Sequence, residues 1–222
     1  MTGLALEFVL LFIVLPTLFA YTRHKLAALP GLWALTLYCL WVLLRDSRFP
    51  VTRFWEAAVF PVFAPRILAL FAVVTAIGSL LVRSFAPRGL FFAFPRARPW
   101  QWAALMVLYP VLSVYPQGIV YRAFIFERYR DLFGAGWAML LASTIAFAYA
   151  HIIYRNRLAL ALTTLGGVLF AFRYQQTGSL FVSSFEHALY GCAIFTLGIG
   201  QWFHHAHVTA SRRLPPASKM TV

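Results

Sequence analysis

The chain has 222 residues, 62% of them hydrophobic and 11% charged, with a formal net charge of +13 and a mean hydropathy of +0.76. So few charged groups exclude a polar surface facing water on all sides, and no sizeable soluble domain fits between the apolar runs. The excess of Lys and Arg is scattered through every loop rather than gathered on one face, which argues against nucleic acid and for anchoring of helix ends to anionic headgroups. The expected fold class is all-α, a polytopic membrane helix bundle, with membrane lipids as its first partners.

A helix crosses the hydrocarbon with about 20 apolar residues. In chain order the windows that approach this length are residues 4–21, 29–44, 67–82, 100–115, 137–154, 158–172 and 180–203. The first reads as a retained span and not a signal peptide, because its apolar run is long and Arg23, His24 and Lys25 follow it as a membrane stop. Residues 91–102 read as an interfacial loop with an aromatic belt. Residues 119–133 are helical in pattern but interrupted by Arg122, Glu127, Arg128, Arg130 and Asp131; they form either an eighth, partly buried helix or an interfacial one. Seven or eight helices are expected in a single domain over residues 1–210, followed by a polar tail at 211–222. Cys39 and Cys192 lie inside apolar segments as small hydrophobes without metal-ligand spacing.

Ionisable or amide residues inside a span are expensive, so each is a functional candidate. They are Glu7, Gln117, Arg122, His151, Glu186 and His187. Glu7 is close to a helix end, where a headgroup-facing position suffices. A lone histidine is often a hydrogen-bonded packing residue, but two on separate helices with an arginine on a third require three coincidences. The stretch YPQGIVYRAF, residues 115–124, is the least expected of all: its Pro-Gln-Gly start reads either as a break between membrane helices or as the wall of a reaction site.

The order of these segments carries a resemblance. FAYAH, Phe147 to His151, matches an F-x-x-x-H motif, and YPQGIVYR before it is placed like an E-E-x-x-x-R motif. GGVLFAFRYQQTGSLFVSSFEHALYG then resembles a Gly-rich helix, a Tyr-x-x-Thr-Gly-Ser-Leu turn and an H-x-x-x-N helix in succession. From Tyr115 to Gly191 the chain resembles the CPBP family of intramembrane proteases, which includes the type II CAAX prenyl endopeptidases and the bacteriocin self-immunity proteins. The resemblance implies a glutamic-type endopeptidase in a bacterial inner membrane, acting on a membrane-anchored or hydrophobic peptide; no cofactor is expected, and no metal is assigned because His151 and His187 lie on different helices with no H-E-x-x-H pair on one face. A carboxylate of the first motif would take a proton from water, Arg122 would orient it, and His151 and His187 would position the water or stabilise the oxyanion.

The departures fall on the chemistry itself. Gln117 and Gly118 stand where the pattern has two glutamates, and Gly191 stands where it has Asn. Among other carboxylates, Glu127 is nine residues beyond Gly118, about 13 Å along a helix, and too far to serve the same water. Glu186 is the better surrogate base, since it and His187 would border one cavity at about 100° to each other; alternatively it pairs with an arginine such as Arg122. Two readings therefore stand, a protease with a surrogate base and an inactive relative that binds a peptide or partner helix. His204, His205 and His207 cluster at the membrane exit among headgroups and are assigned no metal.

Overall fold

The computed structural model describes residues 2–21 and 28–202. The histidine cluster at 204–207 and the tail at 211–222 lie outside the described residues. Seven helices among the described residues are long and apolar enough to cross a membrane. They are α1 (Thr2–Tyr21), α2 (Ala28–Arg45), α3 (Phe60–Phe85), α4 (Pro99–Arg128), α5 (Trp137–Tyr154), α6 (Arg157–Thr177) and α7 (Leu180–Leu197). Helices α5, α6 and α7 are the most enclosed, and α1, α2 and α3 present more of their apolar surface outward. Helix α7 packs against α3, α4 and α6, and α5 packs along α6.

The continuous α4 corrects the expected break after Tyr115. Pro110 and Pro116 lack the N–H that an α-helix needs, yet a membrane helix tolerates proline where neighbours satisfy the freed carbonyls. Here the Leu112 carbonyl, four residues before Pro116, accepts the Trp33 indole N–H of α2 at 3.0 Å. The Met106 carbonyl, four before Pro110, faces the Cys192 thiol of α7 at 3.9 Å. The helix widens into π turns at Pro110–Val114 and Ile119–Phe124, which absorb the local mismatch without ending it. Residues 119–128 are thus the last third of a 30-residue helix, not a separate helix, and Arg130–Phe133 is a single helical turn beyond it. Likewise part of the expected loop at 91–102 is helical, at Ala93–Ala97 and from Pro99 onward.

Charges at the helix ends bind protein rather than only headgroups. Glu7 of α1 accepts from Arg128 at 3.0 and 2.7 Å and from the Tyr129 hydroxyl at 3.1 Å, which ties α1 to the end of α4. Glu127 accepts from Arg53 at 3.2 Å and Arg130 at 2.8 Å. In the loop after α2, hydrogen bonds from Arg48 hold the Asp46 carboxyl down to about 2.

The turn between α6 and α7 follows from its residues. Gly178 adopts φ +64, the left-handed conformation that closes a helix and favours glycine. Ser179 then caps α7, its hydroxyl accepting from the Val182 N–H at 3.2 Å. This short reversal lays α6 and α7 antiparallel and sets Arg173 opposite Glu186.

Candidate active site

Three of the sequence candidates come together around one aromatic ring. Phe147 of α5 has the guanidinium of Arg122 (α4) 4.9 Å from its centroid, the ring of His151 (α5) at 4.7 Å and the ring of His187 (α7) at 5.4 Å. Phe170 of α6 closes the other side, 5.2 Å from Arg122 and stacked on His187 at 4.4 Å. Arg122 is 1% exposed and His187 5%; the two aromatic faces give the cation the attraction that water would otherwise supply.

The partners of the imidazoles assign their protons. His151 sits on the last turn of α5, with Nδ1 2.7 Å from the Phe147 carbonyl oxygen. A carbonyl only accepts, so Nδ1 carries the hydrogen and Nε2 keeps a lone pair. His187 Nδ1 stands 3.5 Å from Arg122 Nη1. A guanidinium only donates, so this Nδ1 accepts, over a long contact, and Nε2 carries the hydrogen. One ring offers a proton acceptor and the other a donor.

The remaining candidates are placed elsewhere. Gln117 donates to the Ser113 hydroxyl at 2.8 Å, and its Oε1 is buried without a partner. A Cβ on Gly118 would meet Ser184 Oγ at 2.7 Å and Leu180 Cδ1 at 2.9 Å. At Gly191 a Cβ would run into the Tyr109 ring, with the hydroxyl oxygen at 2.5 Å. Both positions are therefore packed by neighbouring side chains.

Glu186 is wholly buried and held by Arg173, with Nε to Oε2 at 2.7 Å and Nη2 to Oε1 at 3.2 Å. Its partner is thus not Arg122, and it faces α6 and α3, where Phe63 lies 5.3 Å from the same guanidinium. The sequence reading missed Arg173 because it closed the sixth span at residue 172, one residue short. The intramembrane arginine of FAFRYQQT was the available signal. Glu127 is engaged by Arg53 and Arg130 at the end of α4. Among the described residues no group of three His, Cys, Asp or Glu side chains is placed to hold a metal ion.

This arrangement lies within a segment known from other proteins. Residues 98–193 match the family of type II CAAX prenyl endopeptidase Rce1-like proteins. The Rce1-like segment runs from the start of α4 into α7 and contains every residue of the site, in agreement with the resemblance read from Tyr115 to Gly191. No curated protein and no solved structure matches the chain. Seven apolar helices make this an integral multi-pass membrane protein, and the segment at 98–193 is similar to type II CAAX prenyl endopeptidases. In the Rce1-like segment Arg122 is a buried cation for which no carboxylate partner is found among the described residues.

Proposed function

We propose that the protein is an intramembrane endopeptidase that cuts a membrane-anchored or hydrophobic peptide, with His151 as the base toward water. The observation that carries this reading is the convergence of His151, His187 and Arg122 on Phe147, with one imidazole poised to accept a proton and the other to donate one. In the proposed step His151 Nε2 takes a proton from water as the water oxygen bonds to the scissile carbonyl carbon. His187 Nε2–H donates to the oxyanion, and Arg122 holds the His187 ring and its field offsets the new negative charge. The C–N bond then breaks as the proton on His151 passes to the leaving amine. Net charge in the site is unchanged throughout, which a low-dielectric interior favours.

A second reading, binding of such a peptide without cutting it, is supported by the packing of Ser184 and Leu180 on Gly118 and of Tyr109 on Gly191. These contacts leave no room for the side chains of a glutamic site unless neighbours move. The test is cleavage of membrane-anchored peptide reporters, prenylated and unprenylated, by the purified protein in lipid. Cleavage that His151→Ala abolishes supports the protease. Saturable binding of the reporters with no cleavage by the native protein would replace it with the binding reading.

A further inference from the structure

A cavity of about 800 Å³ lies between α2, α3, α4 and α7, lined mainly by Trp33, Trp55, Phe71, Met106, Phe185 and Leu189. Its size is in the range of small-molecule sites, which combine apolar walls with a few placed polar groups. Ser184 and Pro116 form the part of its wall nearest Gly118. The Ser184 hydroxyl is buried with no hydrogen-bond partner.

Beyond that wall is a second orphan. Gly118 and Arg122 are one turn apart on α4, and Ser184 and His187 are one turn apart on α7. The contacts of Gly118 with Ser184 and of Arg122 with His187 are therefore successive rungs between the same two helices, about 5–6 Å apart. Arg122 Nη2 is buried and without a partner, and the side chain is 1% exposed. An isolated charge in hydrocarbon is costly until an anion meets it. A hydroxyl donor and a guanidinium donor thus follow each other from the cavity wall inward, at the place where α4 has no side chain.

We infer that this cavity binds a long-chain fatty acid, with the alkyl chain among the aromatic walls and the carboxylate drawn past Ser184 to Arg122. The alkyl chain suits the lining better than a peptide does. An extended peptide brings an N–H and a C=O at every residue, and the walls offer little beyond the hydroxyls of Ser184, Thr75, Ser79 and Thr196. A chain with one anionic end asks for one polar site, and the buried cation is that site. The carboxylate enters as Ser184 Oγ and Leu180 Cδ1, which both press on the open face of Gly118, turn aside; each is the far end of a side chain. This binding does not depend on whether a peptide is cut.

The experiment uses the full-length protein in nanodiscs of purified phosphatidylcholine, titrated with oleic acid carrying a ¹³C carboxyl, and in parallel with oleyl alcohol and methyl oleate. Saturable binding is expected, with the acid at least ~10-fold tighter than the alcohol or ester, as a charge-assisted contact requires. The bound ¹³C resonance should stay at its ionised position at pH 5. Ala188→Phe, which fills the cavity, should remove binding of acid and alcohol alike. Arg122→Gln should make acid and alcohol bind equally. If that variant does not fold, Ser184→Ala supplies the same comparison, with a reduced acid preference and unchanged alcohol binding. Equal affinity for acid and alcohol in the native protein would overturn the inference, as would an acid preference that survives both substitutions. Tighter binding of a hydrophobic peptide with a free C-terminal carboxylate than of oleate would also overturn it and assign the site to peptide ends.

Discussion

Replacing Glu186 by Gln separates a structural carboxylate from a catalytic one. In the native protein Glu186 is 0% exposed and the Arg173 side chain 9%, joined by hydrogen bonds of 2.7 and 3.2 Å. The amide keeps the shape of the carboxylate but loses its charge, and its NH2 group turns a donor toward the guanidinium donors. Removing one member of a buried pair destabilises by about 3–5 kcal/mol, because the other charge is left uncompensated. One hydrogen bond to the remaining oxygen survives, so we expect the lower end, about 3 kcal/mol. Removing both charges, as in Arg173→Leu with Glu186→Leu, should recover most of that loss, since well-packed apolar residues replace a buried pair at little penalty. The assay is equilibrium unfolding in denaturing detergent followed by tryptophan fluorescence, with reporter cleavage measured on the same preparations. A Glu186→Gln protein as stable as the native one but without cleavage would refute the reasoning and return Glu186 to the role of base.

His151→Ala should reduce cleavage by at least ~10², the contribution of a positioned base, with stability lowered by only about 1 kcal/mol for the lost hydrogen bond to the Phe147 carbonyl; a smaller drop in rate removes His151 from the proton transfer. Gly191→Asn should destabilise by about 1–3 kcal/mol through overpacking against Tyr109, and Tyr109→Ala in the same chain should reverse this in the detergent assay. Trp33→Phe leaves the Leu112 carbonyl without its indole donor and should destabilise by about 1–2 kcal/mol; an unchanged unfolding midpoint would mean that the π turn alone satisfies that carbonyl.

Much of the fold was legible because the bilayer allows few solutions. Apolar runs of spanning length have to be helices, since only there does each backbone group find its partner within the segment. The same physics made Arg122, His151, Glu186 and His187 conspicuous, as polar groups where polarity is expensive. What the linear order left open was partnership. Pro116 read as a break because its missing N–H is local, whereas the indole that takes the freed Leu112 carbonyl belongs to a helix some eighty positions earlier. Glu186 read as a possible base beside His187, but the 100° between successive helical residues turns it toward α6, and the close of α6 at Thr177 instead of residue 172 supplies Arg173. Gly118 and Gly191 read as missing side chains; only the packing of α4 against α7 filled their places with Ser184, Leu180 and Tyr109. Composition thus determined the solvent, the helices and which residues demand an explanation. Tertiary structure decided which charges are neutralised and which are not, because pairing depends on the facing of helices, a property that no single segment contains.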